Sequence, residues 1–180
     1  MGDAIKDVQT TPDGRIWVSY FDEGVFGGGL GRHGLICFDG DAQPLFKYSE
    51  FADQNQLPSI DDCYAMNVVN EDEVWLSYYS DFPLVFMQNF QLGQAWKDFD
   101  CIDGAFALNG DTVTFQKCYT RREGKSQLLR RTLSGSVQAE EVEAVDETGA
   151  LVNGLFTTAA RGANLYLLTV TALYKLQMNP

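Results

Sequence analysis

A hairpin pattern recurs four times along this chain. IKDVQTTPDGRIWVSYFDE, from Ile5, and IDDCYAMNVVNEDEVWLSYYSD, from Ile60, share one grammar: an apolar residue, any residue, Asp, a strand, a turn and a W-[VL]-S-Y strand. CIDGAFALNGDTVTFQKCY, from Cys101, is a weaker copy, and LVNGLFTTAARGANLYLLTV, from Leu151, is weaker again. The turns are Pro12-Asp13-Gly14, Asn70-Glu71-Asp72, Asn109-Gly110-Asp111 and Arg161-Gly162-Ala163-Asn164. Asp-Gly and Asn-Gly supply the positive φ that tight hairpins need. Helical periodicity is poor by comparison, because Gly, Asn and Asp interrupt the chain too often.

Further strands follow each hairpin: Leu35 to Phe38 and Pro44 to Tyr48, Leu84 to Phe90 and Ala95 to Phe99, Gln127 to Leu133 and Val137 to Val145. Only Ala172 to Met178 follows the fourth. A repeat of about 40–50 residues made of four antiparallel strands is the signature of a propeller blade. The expected fold is all-β: one β-propeller-like domain over 1–180, with blades near 5–50, 60–99, 101–146 and 151–178, the last of three strands. GRIWVSYFDEGVFG, GLICFD, DCYAMNV and YYSDFPLV resemble an uncharacterised bacterial β-propeller family, and more distantly the sensor propellers of two-component regulators; the likeness is best over residues 5–90. Set against propellers of that kind, the chain reads as a half-ring. Two chains are therefore expected to associate as a homodimer, covering the apolar flanks of the end blades.

Charge narrows the partners. The 180 residues carry 13 Lys and Arg against 25 Asp and Glu, a formal charge of -12, which speaks against a nucleic acid or an anionic membrane as partner. The N-terminus shows no signal peptide, so a cytoplasmic location is expected. Cys37, Cys63, Cys101 and Cys118 lack the spacing of a zinc ribbon or redox motif and are expected to be reduced and mostly buried, with a disulfide-bonded exported form as the alternative.

In a four-strand blade the loops between strands two and three share a face with the blade-to-blade links. Asp22, Glu23, Asp61, Asp62, Asp81, Asp100, Asp103, Asp146 and Glu147 fall on that face, which suits a cationic or small-molecule ligand. The candidate ligand residues are Asp22, Glu23, Tyr79 and Asp81, since Tyr78-Tyr79-Ser80-Asp81-Phe82 resembles a sugar- or peptide-binding lip. The repeated triplets place Asp7, Asp62, Asp103 and Asn153 at equivalent positions, a set of oxygen ligands fit for calcium or magnesium. The plainer role of these residues is to bond backbone N–H groups of the links.

Other features carry less. The glycine-rich run from Gly24 to Gly34 reads as a long loop or a flap, and His33, the only histidine, as a solvated side chain on it. Lys117, Arg121, Arg122, Lys125, Arg130 and Arg131 read as a basic strand surface, and Trp17 and Trp75 as core. With one histidine and no G-x-S-x-G motif, nucleophilic catalysis finds no support. The favoured function is a non-catalytic ligand- or protein-binding or scaffold module. The alternative is a divalent-cation-dependent, lactonase-like hydrolase.

Overall fold

The computed structural model describes residues 1–97, 99–118, 128–135, 138–152 and 157–176. The chain is all-β, with four small antiparallel sheets of the β-propeller blade type. They fall into two compact units, Met1–Phe99 and Asp100–Pro180. No helix among the described residues is long and apolar enough to cross a membrane.

In the first unit, β1 (Ile5–Thr10), β2 (Ile16–Tyr20), β3 (Leu35–Phe38) and β4 (Pro44–Lys47) pair in sequence order. So do β5 (Asp62–Val68), β6 (Glu73–Tyr79), β7 (Leu84–Gln88) and β8 (Gln91–Trp96). Strand β3 reads as an unbroken apolar run, and β2 as one interrupted only by Ser19, because both of their faces are buried. Trp17, Leu35 and Cys37 enter one core, while Val18, Tyr20, Ile36 and Phe38 form another. The first core is shared with the second sheet through Cys63, Met66, Val68, Val74, Leu76, Tyr78, Val85 and Met87. Polar bridges also join the sheets. Gln9 Nε2 donates to the Met66 carbonyl at 3.0 Å while its oxygen accepts the Val68 N–H at 2.9 Å, and Arg15 Nη1 reaches the Glu71 carbonyl at 2.7 Å.

Helical segments are more extensive than the sequence pattern implies. The run read as a loop or flap holds a helix, α1 (Asp22–Phe26), and a 3-10 turn (Leu30–His33); a second helix, α2 (Tyr48–Asn55), follows β4. Its glycines serve close backbone approach. The missing Cβ of Gly31 lets its backbone lie against Gly24, and Gly34, at φ 70°, leaves room for the Ile60 side chain. Strand β8 also begins earlier than the sequence reading placed it. Asn89 and Phe90, at φ 51° and 61°, make a two-residue turn, and Gly93 stays inside the strand because the Phe86 ring fills the space of a Cβ.

In the second unit, β9 (Ile102–Asn109), β10 (Thr112–Lys117), β11 (Leu128–Thr132) and β12 (Glu140–Val142) form one sheet. Strands β13 (Thr157–Arg161), β14 (Asn164–Leu168) and β15 (Leu173–Leu176) form a three-stranded one among the described residues. One core cluster here comprises Ala105, Ala107, Leu128, Ala144, Leu165 and Leu167, and Ile102, Phe106, Val113, Phe115 and Leu129 are buried as well. A disulfide adds to this packing. Cys101 and Cys118 are bonded, with Cα atoms 5.4 Å apart, and close the open end of the β9–β10 hairpin. The expectation of four reduced thiols is thus corrected: the hairpin register brings these two together, whereas Cys37 and Cys63 are free and buried. Burial in apolar surroundings pushes both free thiols up to about 12.

A cross-link closing a loop of this length stabilises by about 3 kcal/mol. Replacing Cys101 and Cys118 together by Ser is expected to lower the stability of the second unit by about that amount. Urea unfolding of the parent and double variant, followed by NMR signals of β9–β15, checks it.

Candidate functional site

The first unit gathers its long connections at one end. Phe21 N donates to the Ala4 carbonyl at 3.1 Å, tying α1 to the start of β1, and Asp61 N donates to the Tyr79 carbonyl at 2.7 Å, tying the α2–β5 link to the end of β6. Gly34, which closes the 3-10 turn, packs on Ile60 of that same link. The link and the β6–β7 connection are further joined by Ser80 Oγ, which donates to Asp61 Oδ2 at 2.8 Å.

Strand alternation separates two tyrosines there. Tyr78 points inward, and its hydroxyl shares a 2.8 Å hydrogen bond with Tyr48 and donates to the Pro58 carbonyl at 3.0 Å. Burial drives both phenols well above the ordinary tyrosine range. Tyr79 points outward and is 48% exposed. Beyond it, Asp81 and Phe82 adopt left-handed backbone, at φ 63° and 45°. The turn brings the Phe82 ring within 5.5 Å of Tyr79 and 5.7 Å of Tyr64, edge-on to each. Tyr64 comes within range because a bulge lies between Cys63 and Ala65 in the β5–β6 register. Tyr64 thus stands beside Phe82 and Tyr79 of the Tyr78 to Phe82 stretch singled out in the sequence. The bulge that delivers Tyr64 leaves no mark in the sequence.

Asp62 stands opposite Tyr79 in the β5–β6 ladder, so the two side chains share one face of the sheet. It is half-buried, and its Oδ1 is covered with no hydrogen-bond partner among the described residues. Burial, with the nearby Asp22 charge, raises this carboxyl above the usual range, against the pull of Lys6. Asp22 and Glu23 are exposed in the first turn of α1.

The carboxylates expected to hold a cation have other tasks. Asp7 accepts the Val8 N–H at 2.8 Å and Gln9 Nε2 at 2.9 Å, which orients Gln9 for its bridge between sheets. Asp103 lies in β9 of the second unit, and Asn153 falls outside the described residues. No group of three or more His, Cys, Asp or Glu side chains that could hold a metal ion occurs among the described residues. Asp146 accepts bonds from Thr148 N, Thr148 Oγ1 and Ala150 N, which hold its carboxyl below the ordinary range. Asp100 pairs with Arg131 at 3.1 Å, and Arg130 with Glu140 at 2.7 Å. Lys117 ends β10, while Arg121, Arg122 and Lys125 lie outside the described residues.

His33 is not the solvated side chain expected. It is 8% exposed, and its Nδ1 lies 2.6 Å from Ser49 Oγ in the first turn of α2. Burial first, then Arg32 and Lys47, lower its pKa, with Glu50 opposing. Glu50 itself pairs with Lys47 at 3.1 Å. The His33–Ser49 bond therefore anchors α2 to the 3-10 turn.

A family model of the YxzG family matches residues 35–176, most of the chain. The chain belongs to the YxzG family. No curated protein matches this YxzG member. Solved structures do: two of the extracellular domain of system BT4673 from B. thetaiotaomicron, described as a candidate one-component system in one and a candidate hybrid two-component system in the other. Each is 17% identical, with a TM-score of 0.49, covering 97% of this chain and 20% of the other. The YxzG chain thus spans about a fifth of the length of those domains. The matched proteins are extracellular domains, whereas a cytoplasmic location was expected for this chain. The Cys101–Cys118 disulfide runs against that expectation, since such bonds persist in oxidising compartments.

A carboxyl whose folded pKa is raised stabilises fully below its unfolded value, here 3.8, and that contribution is lost as pH rises through the folded value. Urea midpoints of the first unit, compared between the parent and Asp62→Asn across this acidic window, are expected to show the parent losing stability relative to the variant as pH rises.

Proposed function

We propose that this chain is a non-catalytic binding module of an oxidising compartment, whose ligand face is the lip formed by Tyr64, Tyr79, Asp81 and Phe82. The observation that carries this reading is the aromatic corner itself. Tyr79 keeps nearly half its surface in water while its neighbour Tyr78 is locked inside, so a rigid interior holds an open aromatic surface in place. Such preorganisation favours recognition, because the contact side chains lose little freedom when a ligand arrives. Asp22 and Glu23, on α1 at the same end of the unit, add charge to the rim. The lactonase-like alternative finds no support. Asp7 is engaged by Val8 and Gln9, and among the described residues Asp62 belongs to no group of three or more His, Cys, Asp or Glu side chains that could hold a metal.

Ligand-observed NMR on the intact chain, against a panel of short peptides and neutral oligosaccharides, tests the reading. Binders are expected that the Tyr79→Ser/Phe82→Ser variant loses by roughly tenfold in affinity, with its melting midpoint kept. Binders indifferent to that variant, a panel without binders, or calcium-dependent lactone hydrolysis abolished by Asp62→Asn would overturn it.

A further inference from the structure

Three features of the lip, taken together with the binding reading above, narrow what it recognises. The first is shape. Phe82 meets Tyr79 and Tyr64 at 64° and 62°, so the rings make a corner rather than a flat stack, and Tyr79 is 48% exposed. Aromatic faces of this kind attract cations through the ring quadrupole.

The second is an acceptor without a donor. Asp62 Oδ1 is covered and unpartnered among the described residues, on the same face of the sheet as Tyr79. Lys6 acts on this carboxylate through space, and among the described residues no hydrogen bond to Oδ1 competes with an N–H group that reaches its covered side. The third is charge complementarity. Asp81 is exposed on the turn that carries Phe82, and Asp22 lies near enough to act on Asp62.

We propose that the corner of Tyr64, Tyr79 and Phe82, with Asp62 and Asp81, binds the guanidinium of an arginine side chain presented by a partner polypeptide. A guanidinium is planar, so it stacks on an aromatic ring and still directs N–H groups sideways to carboxylates. A lysine ammonium is a compact point charge and satisfies only one of these at a time. A polypeptide suits the site better than a small free cation. Small-molecule sites enclose most of their ligand, whereas this corner lies open at Tyr79 and covers only a protruding side chain.

The experiment is a titration of the 15N-labelled intact chain with blocked Gly-Arg-Gly, alongside the same peptide carrying citrulline, which keeps the shape and loses the charge. A neutral trisaccharide serves as a third probe. The arginine peptide is expected to shift the amides of Asp62, Tyr79, Asp81 and Phe82, and the citrulline peptide to bind at least about tenfold more weakly. Asp62→Asn and Tyr79→Ser are each expected to weaken the arginine peptide roughly fivefold. Asp81→Asn, on an exposed turn, keeps the test decisive if Asp62→Asn does not fold. Equal binding of the citrulline peptide, or lip shifts from the trisaccharide and none from arginine, overturns the cation and leaves the lip as the ligand face. No shift at the lip from any of the three overturns both readings.

Discussion

Trp17 projects from the first sheet into the core it shares with the second, and most of the first unit depends on that interlock. Its ring meets Phe46 of β4 at 5.6 Å and Phe90 of the β7–β8 turn at 5.8 Å, while Phe46 also meets Phe51 of α2 at 5.5 Å. Each sheet alone has too little depth to bury a tryptophan. Together they exclude water from it, and close packing of large rings contributes more than any polar bond nearby. Gln9 and Arg15 then fix the register of one sheet on the other by satisfying backbone groups that packing alone would not choose between.

The lip follows from this arrangement. Once the core fixes the face of β6 that turns inward, a period of two assigns Tyr78 to the interior and Tyr79 to solvent. The hydroxyl relay from Tyr48 through Tyr78 to Pro58 carries the order outward to the link before β5, and Asp61 passes it to Ser80. The second unit adds a covalent link to its packing. Ile102, Phe106, Val113 and Phe115 are buried, and the bond between Cys101 and Cys118 closes the hairpin that carries them.

The blades were legible in the sequence because hairpin punctuation and strand composition are local signals. All four turns fall between the strands they were read to join, and Trp17 and Trp75 are buried as their repeat positions implied. Features set by contacts distant in sequence were not legible. The glycines from 24 to 34 look like a flexible loop until Gly31 is seen against Gly24 and Gly34 against Ile60. The disulfide needed a register, and the pairing of His33 with Ser49 needed α2, a helix too short to show its period. Of the proposed lip, the stretch from Tyr78 to Phe82 stands out in the sequence by its aromatic and acidic composition. Tyr64 is brought beside it by a bulge, and left-handed backbone at Asp81 and Phe82 sets the corner, neither of which composition announces.

Native-state hydrogen exchange on Trp17→Ala measures the interlock most directly. If the two sheets of the first unit stand or fall together, removing this ring costs about 3–5 kcal/mol, and protection drops alike in β2 and in the amides of Met66, Val68 and Leu76 across the core. Protection lost only within β1–β4, with β5–β8 unchanged, would contradict the account.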